Sequence, residues 1–204
     1  MIPVQEKKEP DSFDAKVRKP GLAWLTAKGI PLEGPKPKKV KLEPYWTKCL
    51  GDLHTEYDGV CAYLCVYIER VLGAASVDHF VAKSPKPGLA YEWSNYRLAC
   101  LGENRKKGVK DVLDPFTLKP ETFLLELTTG RIYPNPSLNP PQREAAKKTI
   151  AALGLDEEDV RALRYRRYSD YLAIRGAQPN PELEKCLRRD SPFLWYEAQR
   201  QGLL

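Results

Sequence analysis

The sequence predicts an α+β fold, with a small mixed core between an N-terminal arm and a C-terminal helical region. A strand, a loop, a second strand and a short helix follow one another between residues 76 and 107. The residues Thr128-Thr-Gly130 separate two β-prone runs, Thr122–Leu127 and Arg131–Tyr133, which indicates an added β-hairpin. Beyond Pro141 the apolar residues recur at helical spacing. A chain of 204 residues can bury one core with helical additions.

Residues 1–44 form the N-terminal arm, in which seven prolines interrupt any long element. The segment Leu22–Lys28 is typical of a short helix that packs Trp24 and Leu25 against the core. Four lysines follow it: Lys36, Lys38, Lys39 and Lys41. These lysines are either the solvated surface of an arm wrapped over the core or groups that contact phosphate.

Residues 45–133 are expected to form the core, beginning with a helix over Tyr45–Tyr57. His54 flanks the apolar face of that helix and is interpreted as a packed histidine. The β-branched and aromatic run Cys61–Leu72 predicts a strand or hairpin. The remaining core segments are a strand over Ser76–Lys83, a return segment over Trp93–Ala99 and a short helix over Glu103–Lys107.

Residues 134–141 read as a linker, and residues 141–204 as the C-terminal helical region. Four arginines interleave there with three tyrosines: Arg161, Arg164, Arg166, Arg167, Tyr165, Tyr168 and Tyr171. At helical spacing the tyrosines are typical of a core or an interface and the arginines of a solvated face. Contact of this helix with DNA or a partner protein is the alternative.

The composition bounds the cellular setting and the partners. A net charge of +6 favours a polyanionic partner. The first fifteen residues are mostly polar, so we expect no signal peptide. No apolar run approaches the roughly 18 residues of a membrane-spanning helix, so we expect no membrane contact. Five cysteines without a regular framework fit a reducing cytoplasm.

One cluster of residue types is suited to phosphodiester hydrolysis. His79 can act as a base near neutral pH, and the oxygens of Asp78 and Asn104 suit Mg²⁺ or Mn²⁺. Asp78 and His79 point to opposite faces of an ideal strand, so a shared site requires the strand end to bend. The basic residues nearby are candidates to hold substrate phosphate: Lys83, Arg105, Lys106 and Lys107.

Four stretches together resemble the HNH, or ββα-metal, endonucleases in their His-Asn-Asn form. They are Cys61-Ala-Tyr…Cys65, Val77-Asp-His-Phe-Val-Ala-Lys-Ser, Trp93-Ser-Asn-Tyr-Arg-Leu-Ala-Cys and Glu103-Asn-Arg-Lys-Lys-Gly. The resemblance covers residues 61–114 and implies a ββα-metal core that cuts DNA. It implies His79 as general base, Asp78 and Asn104 as ligands of the catalytic metal, and Asn95 as a residue that orients His79.

Members of this family often frame the site with two Cys-x-x-Cys pairs that bind structural zinc. Here Cys61 and Cys65 are separated by three residues, and Glu103 stands where the second cysteine of the Cys100 pair is expected. This departure disfavours zinc and favours thiols packed as small hydrophobic side chains. A Cys₃Glu zinc site is the alternative.

Two functions from different classes follow. The first is a metal-dependent HNH nuclease. The chain is also similar to a bacterial subgroup of this family whose members act with an ATPase in antiviral (anti-phage) defence systems of the Septu and retron types. The second is a non-catalytic module on a degenerate HNH scaffold that binds nucleic acid or a partner protein. The irregular cysteine pairs motivate the second.

Overall fold

A computed structural model describes residues 1–176 and 178–204. These residues form seven α-helices and two antiparallel sheets of two strands each, so the α+β prediction is confirmed. The elements in chain order are α1 (Lys19–Ala27), α2 (Leu50–Glu56), β1 (Ala75–His79), β2 (Tyr96–Cys100), α3 (Leu101–Lys107), β3 (Phe123–Glu126), β4 (Arg131–Pro134), α4 (Pro140–Leu153), α5 (Glu158–Arg175), α6 (Pro181–Asp190) and α7 (Pro192–Arg200). Short 3₁₀ helices lie at Tyr45–Cys49, Arg70–Leu72, Pro87–Tyr91 and Trp93–Asn95, and a π-helical segment at Asp14–Arg18.

Strands β1 and β2 form the sheet that carries the predicted site. The register runs from Ala75 opposite Cys100 to His79 opposite Tyr96. Helix α3 follows β2 without a loop, and the Leu101 amide donates to the carbonyl of Ala74 at 2.8 Å. The order of strand, strand and helix therefore matches the prediction, and β1 ends at His79 rather than at Lys83.

The prediction of a strand or hairpin over Cys61–Leu72 is wrong for most of that segment. A single bridge joins Val60 to Tyr67, and the residues between them form a tight turn. Cys65 adopts a left-handed φ of 55°, which a strand residue does not have. The aromatic side chain of Tyr63 is fully buried within this turn. The composition therefore reflected burial and not strand geometry.

The N-terminal arm packs against the core, as predicted for Leu22–Lys28. Helix α1 buries Leu25 completely, and the preceding π-helical segment buries Val17. Phe13 makes edge contacts with the rings of Trp93 and Tyr96 at 5.5 and 5.7 Å between centroids. Aromatic packing therefore fixes the arm to the end of the β1–β2 sheet.

Gly21 of α1 tests this packing. A Cβ atom at Gly21 would lie 2.2 Å from Cγ of Tyr91, which is itself fully buried. We expect Gly21→Ala to destabilise the protein by about 1–3 kcal/mol, because the ring has little room to move. Urea unfolding measures the change. Gly102→Ala is the matched control, because a Cβ atom added at that helical glycine would have no neighbouring atom within 4 Å. A Gly21 variant as stable as this control would contradict the close contact with Tyr91.

The C-terminal region is helical, and the β3–β4 hairpin forms where it was predicted. Asn139 caps α4 by accepting from the Gln142 amide at 3.0 Å, so the helix begins one residue before the predicted start. Glu197 of α7 is fully buried and accepts from the Leu125 amide of β3 at 3.1 Å. This bond ties the last helix to the hairpin.

One hydrophobic cluster runs from the arm to the C-terminal helices and includes Phe13, Leu98 and Phe193. Tyr168 and Tyr171 of α5 are buried and stacked in it, as interpreted, whereas Tyr165 is exposed. Arg164 is buried and donates to the carbonyls of Gly130 and Leu155, so the interpretation of the arginines as a solvated face is wrong at that position. Within the described part of the chain, no helix has both the length and the apolar character needed to cross a membrane.

Candidate active site

His79 lies at the C-terminal end of β1 and is held by backbone and aromatic contacts. Its Nε2 lies 3.0 Å from the carbonyl oxygen of Ala90. Its ring makes edge contacts with Trp46 at 4.8 Å and with Tyr96 at 5.1 Å between centroids. The side chain is 6% exposed, so its orientation is fixed before any substrate arrives.

This hydrogen bond selects the tautomer of His79. A carbonyl oxygen only accepts, so Nε2 carries the proton and Nδ1 of the neutral ring carries the free electron pair. Burial, together with the positive charges of Lys83 and Lys107, lowers the pKa of His79 to about 3, against the raising effect of the Ala90 carbonyl. The ring is therefore neutral at physiological pH and can accept a proton at Nδ1.

Asp78 precedes His79 and points to the other face of β1, into a closed environment. The Lys107 ammonium donates to Oδ1 at 3.2 Å, and the Tyr63 hydroxyl donates to Oδ2 at 2.5 Å. Lys107 also donates to the carbonyl oxygens of His79 and Phe80, each at 3.0 Å. Asp78 and Lys107 are 2% and 1% exposed, so they form a buried ion pair. Burial raises the pKa of Asp78, and Lys107 opposes that effect.

Asn95 holds the backbone that follows His79. Its Oδ1 accepts from the Val81 amide at 2.7 Å, and its Nδ2 donates to the carbonyls of Val81 and Leu89 at 3.0 and 2.9 Å. In addition, the Phe80 amide donates to the Asn95 carbonyl at 2.8 Å. Asn95 therefore fixes the chain as it leaves β1.

Asn104 joins α3 to β1. Its Nδ2 donates to Ser76 Oγ at 3.1 Å and to the Val77 carbonyl at 3.2 Å, which leaves Oδ1 as an oxygen donor for a cation. A carboxylate and an amide oxygen are ligands that suit Mg²⁺ or Mn²⁺. The oxygen donors of Asp78 and Asn104 suit such an ion in chemical type. Asp78 is buried, however, and its two oxygens already accept from Lys107 and Tyr63, so an ion at Asp78 would have to displace one of these donors.

The four basic candidates differ in their environment. Arg105 is exposed on α3, whereas Lys106 forms an ion pair with Glu157 at 2.5 Å. The half-buried Lys83 lies with Nζ 4.3 Å from the Trp46 ring centroid. Lys107 faces the interior, so the structure places it with Asp78 and not at the surface.

The cysteine region is compact. The Cys100 thiol contacts Cys61, and the Cys61 sulfur also accepts from the amides of Leu64 at 3.4 Å and Cys100 at 3.3 Å. Among residues 1–176 and 178–204, no group of three or more His, Cys, Asp or Glu side chains is placed to hold one metal ion. Cys61, Cys65, Cys100 and Glu103 therefore do not form a preassembled zinc site in the described structure.

Sequence reasoning missed three contacts of this site. Trp46 lies within the helix predicted over Tyr45–Tyr57 and had no predicted role in the site, yet its ring lies against His79. Tyr63 was assigned to a strand, yet its hydroxyl contacts Asp78. The Ala90 carbonyl, which fixes His79, is a backbone group and has no signature in the sequence. His54, in contrast, is packed as predicted, with Nε2 2.8 Å from the Ile68 carbonyl.

Comparison with known proteins finds a partial similarity to a named protein. No protein-family model matches the sequence. The chain is 29% identical over 125 residues to a protein of Vibrio cholerae serotype O1 biovar El Tor that is named "Retron Vc95 putative HNH endonuclease". The similarity covers 54% of this chain and 60% of the relative. It supports a relation to the HNH endonucleases.

Proposed function

We propose that this protein is a divalent-metal-dependent HNH nuclease that hydrolyses phosphodiester bonds of DNA, with His79 as the general base. One observation carries the proposal: the Ala90 carbonyl holds His79 as a neutral ring with a free electron pair on Nδ1. The sequence resemblance and the similarity to a protein named as an HNH endonuclease support the same reaction.

In this mechanism Nδ1 of His79 removes a proton from the attacking water. The Ala90 carbonyl accepts from Nε2 throughout, so it favours the imidazolium that forms. A phosphate beside the ring brings negative charge, which raises the low pKa of His79 toward the working pH. Asn95 keeps the backbone after His79 in place, so it acts as a positioning residue.

We assign Asp78 and Asn104 as the residues that would hold Mg²⁺ or Mn²⁺. An ion held there would supply positive charge that stabilises the negative charge developing on the phosphate and on the leaving oxygen. Lys83 and Arg105 are the basic side chains best placed to hold substrate phosphate, because Lys107 is buried and Lys106 is paired with Glu157.

The biological role follows from the resemblance and from the relative's name. We propose that the protein is the nuclease subunit of an anti-phage defence complex and that an ATPase is its partner. The word "Retron" in the name of the Vibrio cholerae protein supports a defence setting.

The experiment is a cleavage assay on plasmid DNA with Mg²⁺ or Mn²⁺, with and without EDTA, in the presence of the candidate ATPase. Metal-dependent cleavage that EDTA abolishes is the expected result. Cleavage at the same rate in EDTA would contradict the metal requirement.

A second function, a non-catalytic binding module, is favoured by the buried ion pair of Asp78 with Lys107, because a neutralised carboxylate attracts a metal ion less strongly. This module would bind DNA or a partner equally well after Asp78, His79 and Asn104 are replaced, and it would not cleave DNA under any of the assay conditions.

A further inference from the structure

The N-terminal arm continues past α1 and lies against the loop that follows His79. The Lys36 amide donates to the Ser84 carbonyl at 2.9 Å, and the Gly88 amide donates to the Leu32 carbonyl at 3.0 Å. The Tyr91 hydroxyl donates to the Glu43 carbonyl at 2.9 Å. Residues 33–44 of the arm, the adjoining residues 45–48 and residues 83–86 of the loop thus form one surface, which we call the arm surface.

The arm surface carries most of the excess positive charge of the protein. Its two segments contain seven lysines and two glutamates, which gives a net charge of +5, compared with +6 for the whole chain. The lysines are Lys36, Lys38, Lys39, Lys41, Lys48, Lys83 and Lys86. The basic character of the chain is therefore local, and it is concentrated on the surface beside His79.

The charges of the arm surface are poorly compensated. Lys86 lies 3.7 Å from Glu33, whereas the other six lysines have no carboxylate oxygen within 4 Å among the described residues. Burial lowers the pKa of Lys83, and the neighbouring Lys36 lowers it further, against the raising effect of Asp78. Lysines that repel one another in the free protein are stabilised when a polyanion lies over them.

Trp46 connects the arm surface to His79. Its ring contacts the His79 ring on one side, at 4.8 Å between centroids, and lies 4.3 Å from Lys83 Nζ. The Trp46 ring therefore lies between Lys83 and His79, so a phosphate bound at Lys83 would be separated from the proposed base by this one side chain.

We propose that the arm surface binds the sugar-phosphate backbone of duplex DNA and directs the strand to His79. The inference rests on the proposed nuclease function for the role of His79, whereas the binding itself is independent of cleavage. Lysine contacts to phosphate are not sequence-specific, so the arm surface sets affinity and orientation and not base preference.

The test is DNA binding by the full chain in EDTA, measured as fluorescence anisotropy of a labelled duplex over a series of salt concentrations. The test variant is Lys38→Gln/Lys39→Gln/Lys41→Gln, which removes three exposed lysines of the arm surface. We expect affinity to fall by about tenfold or more near physiological salt, and the salt slope to decrease by about 0.9 per lost contact.

The matched control is Lys119→Gln/Lys147→Gln/Lys148→Gln, which removes three exposed lysines outside the arm surface. We expect this control to bind as the wild type does. An equal loss in both triple variants, an unchanged slope in the arm variant, or a wild type that does not bind duplex DNA would each overturn the proposal. The measurement is made in EDTA, where metal-dependent cleavage does not occur, so it reports DNA binding alone. If the nuclease assignment fails, the binding result still tests the arm surface.

Discussion

Replacement of His79 by alanine should lower the rate of DNA cleavage by about 10²–10⁴-fold and leave DNA affinity unchanged. The variant lacks the Nδ1 electron pair that accepts the proton of water, whereas the lysines of the arm surface remain. Loss of the bond to the Ala90 carbonyl also leaves that oxygen with only its bond from the Tyr96 hydroxyl. Single-turnover cleavage, paired with anisotropy in EDTA, separates the chemical step from binding.

The matched control is His54→Ala. His54 is as buried as His79 and makes the same type of bond, from Nε2 to a backbone carbonyl, but it lies outside the proposed site. Both variants should lose stability, so the assays belong well below both unfolding temperatures. Cleavage by the His79 variant at the wild-type rate would show that another group is the base.

The elements that were predicted correctly have a local signal in the sequence, either apolar residues at helical spacing or a turn between β-prone runs. The β3–β4 hairpin is an example, because a Gly-containing turn separates two runs of β-prone residues. The prediction of a strand or hairpin over Cys61–Leu72 failed because the apolar residues of this segment are buried in a turn, and composition alone does not distinguish a buried strand from a buried loop. Left-handed backbone at Cys65, a residue that is neither Gly nor Asn, has no sequence signal.

Within the candidate site, the direction of a side chain was predictable where the residue lies on a regular strand. The opposite directions of Asp78 and His79 follow from strand alternation, and Asp78 does face Lys107 while His79 faces Trp46. The partners of Asp78 were not predictable. Arg105, Lys106 and Lys107 are consecutive, so each points about 100° from the next on α3, and the sequence does not say which one faces the core.

Lys107→Met should destabilise the protein by about 3–5 kcal/mol, because it leaves Asp78 buried without its counter-charge. The variant also removes the bonds to the carbonyls of His79 and Phe80, so the end of β1 loses its link to α3. Urea unfolding with a constant m-value measures the loss. Lys106→Met is the matched control, since that lysine forms a partly exposed pair with Glu157, and we expect a change of about 1 kcal/mol or less.

The double variant Lys107→Met/Asp78→Asn tests the cause of that loss. Asparagine removes the unpaired charge and can still accept from the Tyr63 hydroxyl, so the double variant should be more stable than Lys107→Met alone. A coupling energy of about 1–3 kcal/mol is the expected result of the double-mutant cycle. Additive losses would mean that Lys107 stabilises the protein mainly through its bonds to the carbonyls of His79 and Phe80 and not through the charge of Asp78.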